Sequence, residues 1–304
     1  MSLTTIDKTK VAEFTPTVIA QEAINYLRNY AIMPRFVSKD VGTEFRTKGE
    51  VLSIPKYGNV TVRDKTANTD ISLDQPDDDK VQLTLNKHKY VAFALEDVAQ
   101  ALSGSDIILP GYAKQGLERI GDQIDADILA LVPSITAQVG SAGTDVSPNV
   151  ITNAWKALID AKSPRGARKY FVMASKDGEN LLQQEKFTSA AWLADEGEAI
   201  KEAALGRKYG FDLFVDTQVP TSGSSPVSTH NIAFLEDAFV LAMRPLPMPA
   251  GGIIAADTVV DPETGMAARV VYSWDHKAMA TICTIDVLYG VAIKRNELAV
   301  EVLS

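Results

Sequence analysis

Cysteine and long apolar runs are both scarce in this 304-residue chain, and their scarcity excludes several classes of protein. The single cysteine, Cys283, rules out an intramolecular disulfide framework and is consistent with a reducing compartment. The first residues lack the apolar run of a signal peptide, and no window approaches about 18 uninterrupted apolar residues. We therefore expect neither a leader nor a membrane helix. The protein is expected to be made and kept in a cytosol-like space, unless it leaves inside something larger.

Motifs for catalysis and cofactor binding are also missing. The three histidines, His88, His230 and His276, lie in separate segments and form neither an HxxH nor an HExxH pattern. The chain has no Walker loop, no GxGxxG fingerprint and no GxSxG nucleophile elbow. Cys283 lies in the apolar stretch ATICTID, which predicts a buried, unreactive thiol. We therefore predict no catalytic, cofactor or metal site, and a structural role for each histidine.

Acidic residues outnumber basic ones, with 39 Asp and Glu against 30 Lys and Arg and a net charge of -9. Sequence-independent DNA binding depends on Lys and Arg releasing counterions from phosphates, so an acidic chain is a poor candidate for it. The composition, 46% hydrophobic and 23% charged, is typical of a globular protein and excludes disorder. At roughly 150 residues per domain, the length favours two domains.

Helical periodicity is clearest over residues 110–132. Apolar residues recur there at intervals of three and four, which predicts a long amphipathic helix with one buried stripe. The members of the stripe are Ala113, Leu117, Ile120, Ile124, Ile128 and Leu131. Pro133 is predicted to stop this helix, and Pro34 to end another helix predicted over 16–31.

Helices and short strands alternate further along the chain, which suggests an α/β subdomain. The predicted helices are 149–161, 175–184 and 197–206, and the predicted strands are 169–175 and 211–219. Ser175 is a candidate N-cap, and Trp155 and Ile159 are expected on the same side of their helix as Ile151 and Leu158. Strand character resumes over 231–247, in a hairpin over 258–274 with DPETG as its turn, and over 277–304.

A long β-arm is predicted from two strand-like runs, 42–62 and 81–95, joined by the polar residues 63–80. Ile71 and Leu73 are the only large apolar residues of that connection. Because an isolated two-stranded hairpin is marginal in water, such an arm needs something to lie on. We expect residues 42–93 to become ordered only against an adjoining molecule, which points to another copy of the chain.

The arm also carries a run of three acidic residues, Asp77, Asp78 and Asp79. Their spacing matches no calcium loop, although cation binding stays open. The alternative is a solvated tip that pairs with basic residues of a neighbouring subunit. We predict inter-subunit contacts at Arg35, Arg63, Lys65, Ile71, Leu73, Asp77, Asp78 and Asp79.

The order of these segments resembles the major capsid protein of tailed bacteriophages with the Hong Kong 97-like fold, in the branch related to the coat protein of a Salmonella phage. The resemblance spans nearly the whole chain. It is carried by TPTVIAQEAINYLRNYAIMPRFVSKD (N-arm), GEVLSIPKYGNVTVRD and VQLTLNKHKYVAFALEDV (extended loop), GLERIGDQIDADILALV (spine helix), AALGRKYGFDLFVDTQVP and NIAFLEDAFVLAMRPLP (axial domain), and RVVYSWDHKAMATICTIDVLYGVAIKRNELAVEV (closing β-region).

The resemblance implies an α+β fold with four parts. They are an N-terminal arm over 1–41, an extended β-hairpin loop over 42–93, a peripheral domain over 94–136 and 259–304 with a spine helix over 110–132, and an axial domain over 137–258. It implies hexamers and pentamers that build an icosahedral head shell in the host cytoplasm. It also implies a scaffolding protein, a portal protein, a possible decoration protein, and packaged double-stranded DNA held without sequence-specific contacts.

The sequence departs from the resemblance in two places. TSGSSPVST, residues 221–229, is too short for the axial-domain insertion of the best-known relative, so stabilisation by an insertion is not implied. We also expect no N-terminal scaffolding segment of the kind that some relatives carry, which implies a separate or removed scaffold. Lys48, Lys56 and Lys65 lie on the arm, but no motif assigns the Lys–Asn cross-link of some relatives. An encapsulin-type compartment shell, a soluble α/β enzyme and a tail-tube or other virion protein stay open as alternatives.

Overall fold

The fold is described from a computed structural model of the chain. The described residues are 31–39, 51–56, 62–65, 67–68, 70–71, 73, 79–96, 108–164, 166–184, 206–249, 251, 253–260 and 266–304. The predicted helices 16–31 and 197–206 lie almost wholly outside them, as does the DPETG turn. No helix among these residues is long and apolar enough to cross a membrane.

Strands dominate the described part of the chain. They are β1 (Val51–Lys56), β2 (Asp79–Thr84), β3 (Lys87–Glu96), β4 (Gln138–Gly140), β5 (Lys169–Met173), β6 (Arg207–Lys208), β7 (Phe211–Val215), β8 (Thr221–Ser222), β9 (Ser228–Leu235), β10 (Phe239–Arg244), β11 (Ile253–Val260), β12 (Ala267–Asp275), β13 (Ala280–Ile293) and β14 (Ala299–Leu303). The helices are α1 (Ile108–Leu129), α2 (Pro148–Asp160) and α3 (Ser175–Gln183). This mixture confirms the predicted α+β class.

The long helix α1 confirms the predicted amphipathic segment. The first five members of its stripe, from Ala113 to Ile128, are buried, whereas Leu131 lies beyond the helix and is half-buried. The chain leaves the helix four residues before Pro133, which lies in the 3-10 turn Val132–Ser134. Gly116 lets α1 approach β3 closely, because a Cβ there would lie 2.9 Å from Val91 Cγ1.

The first sheet is organised around β13. Its strand order is β10-β13-β12-β11, and β3 pairs with β13 as well. The pairing of β11 with β12 is antiparallel, which confirms the predicted hairpin. The side chains of Cys283 and Tyr289 on β13 are both fully buried in the core.

The ribbon, formed by the antiparallel strands β1 and β2, packs against the first sheet. The predicted continuous strand over 81–95 is wrong: the chain breaks at Leu85–Asn86 and continues as β3, which pairs with β13 from Lys87 to Glu96. A period-two pattern runs through both strands and does not reveal the break. Gly290 permits the crossing, since a Cβ there would lie 2.2 Å from the Thr84 carbonyl oxygen.

The second sheet has the order β4-β14-β9-β5-β7-β6, with β8 paired to β9. β5 is parallel to β7 and β14 is parallel to β4. β10 and most of β11, from within 137–258, join the first sheet, and β14, from within 259–304, joins the second. The two sheets therefore do not coincide with the chain ranges read from the sequence.

Two details of the predicted helices are wrong. On α2, Ile151 and Leu158 are fully buried, but Trp155 and Ile159 are 42% and 41% exposed, because they lie on the flank of the face that packs on the sheet. Ser175 is the first residue of α3 rather than its N-cap. The cap is Ala174, whose N–H donates to the Asn231 side-chain oxygen at 2.8 Å.

The segment 31–39 ties α1 to both sheets. The backbone N–H groups of Ile32 and Met33 donate to the Asp125 carboxylate on α1, at 2.8 and 2.9 Å. Phe36 stacks on Tyr170 of the second sheet, with ring centroids 4.4 Å apart. Ser38 forms a parallel bridge to β10 of the first sheet.

Candidate assembly surface

The tip segment, residues 57–78, joins the two strands of the ribbon. All of its described residues, 62–65, 67–68, 70–71 and 73, are exposed. Three of them are large and apolar: Val62 is 96% exposed, Leu73 85% and Ile71 69%. Burying one such side chain contributes about 1.5–3 kcal/mol. Covering the tip segment with another surface would therefore be stabilising.

The base of the ribbon, in contrast, packs on the chain's own body. Leu83 is fully buried and Leu85, just after β2, nearly so, and both belong to one hydrophobic cluster with Val240 and Ala242 of β10. The expectation that residues 42–93 order only against a neighbour is therefore wrong for β1, β2 and β3. It stays a prediction for the tip segment.

An ion pair also fastens the ribbon to the body. Lys56, the last residue of β1, donates to Glu297 at 3.2 Å. Burial alone would raise the pKa of Glu297, but a backbone N–H and the Lys56 ammonium outweigh it and hold that pKa below its usual value. The tip segment therefore extends from an anchored base.

Most of the predicted contact residues that can be placed belong to the ribbon. Arg63, Lys65, Ile71 and Leu73 are exposed on the tip segment, and Asp79 opens β2 opposite Lys56. Asp77 and Asp78 lie outside the described residues, and their predicted contacts stay predictions.

Arg35 lies on a different part of the chain. It is exposed at the end of the 3-10 turn Met33–Arg35, and its guanidinium lies 5.8 Å from the centroid of the Phe36 ring. The structure therefore does not bring Arg35 into the ribbon of its own chain. Its predicted contact is with another subunit and stays a prediction.

Charged side chains on β3 and β13 form two clusters beside the ribbon. Asp286 accepts hydrogen bonds from Arg269, at 2.5 and 3.0 Å, and lies 3.0 Å from His88 Nε2. Asp127 accepts from Tyr289 at 2.5 Å and forms an ion pair with Lys87 at 2.9 Å. Burial raises the pKa of Asp127, but these two donors outweigh it and the net direction is downward. Both clusters join adjacent elements, which is a structural role.

The lone cysteine also has structural surroundings. Cys283 is fully buried, which confirms the burial predicted for it, and that burial raises the pKa of its thiol to about 11. No group of three or more His, Cys, Asp or Glu within the described ranges is arranged to hold a metal ion.

Further apolar residues are exposed, and among them only Trp155 has a sequence-based prediction. Trp274 and Met279, at the β12–β13 turn, are 47% and 65% exposed, and Ile254 on the edge strand β11 is 63% exposed. Trp155 on α2 and Tyr209, in the turn between β6 and β7, are both exposed. The two residues lie close together, because Trp155 Nε1 is near Gly210. Single apolar residues on the surface are common and produce no periodic pattern in the sequence. Their exposure is therefore visible only in the folded structure.

Comparison with solved structures gives the fold. A structure from Mycobacterium phage Che8 is 18% identical, with 90% of each chain covered and a TM-score of 0.67. The capsid of Ralstonia phage GP4 is 12% identical, with 91% of each chain covered and a TM-score of 0.63. The chain has the Hong Kong 97-like capsid fold. A virus-like particle from Pyrococcus furiosus is 10% identical, with 93% of this chain and 97% of that chain covered and a TM-score of 0.52.

The assignment of the ribbon to the extended loop and of α1 to the spine helix stays a prediction. No protein-family model and no curated protein matches the chain. The assignment to the Salmonella-phage branch stays a prediction.

Proposed function

We propose that the chain is the major capsid protein of a tailed phage, which assembles as hexamers and pentamers into the icosahedral head shell around double-stranded DNA. The observation that carries the proposal is the exposed apolar tip segment on an anchored ribbon, within a fold shared with phage capsid proteins. An exposed apolar surface is stabilised when another molecule buries it. In this proposal that molecule is a second copy of the chain.

The four parts have distinct roles in this proposal. The N-terminal arm (1–41) and the extended loop (42–93) reach neighbouring subunits. The peripheral domain (94–136 and 259–304, with the spine helix 110–132) receives the neighbour's loop, and the axial domain (137–258) forms the centre of each hexamer and pentamer. The predicted contacts at Arg35, Arg63, Lys65, Ile71, Leu73, Asp77, Asp78 and Asp79 then lie between subunits.

The partners follow from the same proposal. A scaffolding protein directs the shell's size, a portal protein occupies one vertex, and a decoration protein is an optional addition. Assembly takes place in the host cytoplasm and the product is the virion capsid. A chain with a net charge of -9 is expected to bind DNA weakly. Weak binding allows the genome to move along the inner surface of the shell during packaging.

The test replaces the tip segment and keeps the base. Lys56 and Asp79 are paired across the ribbon, so residues 57–78 can be exchanged for Asn-Gly, a favoured two-residue hairpin turn. The unmodified chain, expressed with its scaffold, is expected to sediment as closed megadalton shells visible by electron microscopy. The Asn-Gly variant is expected to stay folded by circular dichroism and to form no closed shell. Normal shells from the variant would refute the role of the tip segment.

A cellular compartment shell of the encapsulin type is the second candidate, because the fold is also that of a particle described as virus-like, from Pyrococcus furiosus. Nucleic acid in particles purified from infected cells favours the phage shell, and protein cargo favours the compartment. Rings or tubes would indicate another virion protein, and a dimer or tetramer would favour the soluble enzyme.

A further inference from the structure

Three polar side chains, two of them eight residues apart and the third 71 positions further along, meet at one end of the second sheet. Ser222 lies on β8, His230 on the adjacent strand β9, and Glu301 on β14. The Ser222 hydroxyl oxygen lies 2.6 Å from His230 Nε2, and His230 Nδ1 is hydrogen-bonded to Glu301 Oε1. The strand pairing of β8 with β9 and of β9 with β14 fixes this order.

Hydrogen bonding sets the tautomer of the histidine. A carboxylate only accepts, so Glu301 takes the Nδ1–H of a neutral imidazole and leaves the lone pair of Nε2 directed at the Ser222 hydroxyl. The Gln138 side-chain amide donates to the other Glu301 oxygen and holds the carboxylate in place. A hydroxyl, a base and a carboxylate that orients the base are the parts of an activated serine nucleophile.

Exposure increases along the three residues. Glu301 is fully buried, His230 is 9% exposed, and Ser222 is exposed to solvent. The backbone of Gly223 and Ser224 follows Ser222 in an exposed turn. Ser222 is therefore an exposed residue whose contact with His230 is part-buried, and the histidine and the carboxylate behind it are buried.

A neighbouring network has no exposed member, and it leaves Asp177 Oδ1 without a hydrogen-bond partner among the described residues. Asn231 donates to Asp177 at 2.7 Å, and the Ser304 hydroxyl donates to the same carboxylate at 2.8 Å. All three residues are fully buried. A purely structural network resembles this one, whereas the network of Ser222, His230 and Glu301 includes an exposed residue, Ser222.

We propose that Ser222, His230 and Glu301 form a serine triad that accepts acyl groups from carboxylic esters or from peptide carbonyls. Ser222 Oγ attacks the carbonyl carbon, an Oγ–C bond forms, and the hydroxyl proton passes to His230 Nε2. The same proton then leaves with the departing alkoxide or amine as its bond to the carbonyl carbon breaks. Water hydrolyses the acyl-serine and restores the hydroxyl.

The open edge of β8 gives the acyl donor a place to lie. Across the described part of the chain, β8 pairs only with β9, so one side of its backbone is unoccupied by a strand. An extended peptide that pairs along this edge brings a carbonyl group past Ser222.

A fluorophosphonate probe tests the proposal on the full chain, both unassembled and in particles. The probe forms a P–O bond with an activated serine and loses fluoride, and peptide mass spectrometry locates it. Ser224→Ala and Ser225→Ala are the matched controls, since both serines are exposed in the same loop. Labelling is expected at Ser222, about 100-fold faster than at Ser224 or Ser225, and p-nitrophenyl acetate hydrolysis is expected to be lost in Ser222→Ala alone.

His230→Gln is expected to slow the labelling of Ser222 about 100-fold. If this variant does not fold, the comparison of Ser222→Ala with the two controls still decides, because Ser222 is exposed and its replacement leaves the core intact. Equal labelling of Ser222 and its neighbours, or ester hydrolysis that persists in Ser222→Ala, would overturn the proposal. If the three residues form only a structural network, Ser222→Ala changes the thermal stability, and the unmodified chain forms no covalent adduct with the probe at Ser222.

Discussion

Replacing the apolar residues of the tip segment separates assembly from folding. In the triple variant Val62→Ser, Ile71→Ser and Leu73→Ser, each replaced side chain is 96%, 69% and 85% exposed, respectively. Substitutions at such exposed positions change the free energy of unfolding by about 0.5 kcal/mol or less. The isolated subunit is therefore expected to unfold at nearly the unmodified temperature.

The loss in assembly is expected to be much larger. Together, the exposed fractions of the three residues equal about two and a half fully exposed apolar side chains. The lower end of the free energy of burial is about 1.5 kcal/mol for each such side chain. If a neighbouring subunit covers them, the variant loses about 4 kcal/mol per subunit. Since about 1.4 kcal/mol is a tenfold change, the association constant falls several hundredfold.

Light scattering against protein concentration measures this loss as a rise in the critical concentration for shell assembly. Ala67→Ser is the control, because it lies in the same segment, is exposed and changes little apolar surface. Shells that form from the triple variant at the unmodified critical concentration would refute burial of these side chains between subunits.

Three further predictions concern the body of the subunit. Leu83→Ala removes a fully buried side chain at the base of the ribbon and is expected to cost about 2–5 kcal/mol in thermal unfolding; an unchanged midpoint would mean that the base is not packed. Gly290→Ala would place a Cβ 2.2 Å from the Thr84 carbonyl oxygen, so the amides of β2 are expected to exchange hydrogen faster, and unchanged protection would contradict this contact. Burial raises the pKa of Asp125 to about 7, so the folded chain binds a proton that the unfolded chain releases near pH 4. Stability is therefore expected to fall by up to about 4 kcal/mol as pH rises through that window, and a dependence that survives unchanged in Asp125→Asn would disprove this origin.

The sequence predicts those elements whose pattern is local. In α1, apolar residues three and four positions apart share one face of a helix, and the stripe from Ala113 to Ile128 is buried as predicted. The β11–β12 hairpin is likewise predicted from neighbouring residues. The break at Leu85–Asn86 is different, because it depends on Gly290, about two hundred residues away, which lets the chain cross β13.

The reactive groups show the same limit more sharply. Ser222 carries no nucleophile-elbow motif, and His230 and Glu301 are 71 positions apart in the chain. Only the pairing of β9 with β14 brings the histidine and the carboxylate together. Similarly, no sequence pattern indicates that Asp125 receives two backbone N–H groups from Ile32 and Met33, since those donors belong to a segment more than ninety residues away.

The pairing of β3 with β13 has a consequence for biogenesis. Its partners, Glu96 with Ala280 at one end and Lys87 with Tyr289 at the other, are separated by roughly two hundred residues. At about 5–20 residues per second of synthesis, β3 leaves the ribosome about 10–40 seconds before its partner exists. During that interval an apolar strand edge is open to mispairing, and long-range pairing of this kind also slows folding afterwards. Yield of competent subunits should therefore depend on translation speed, temperature and chaperone supply.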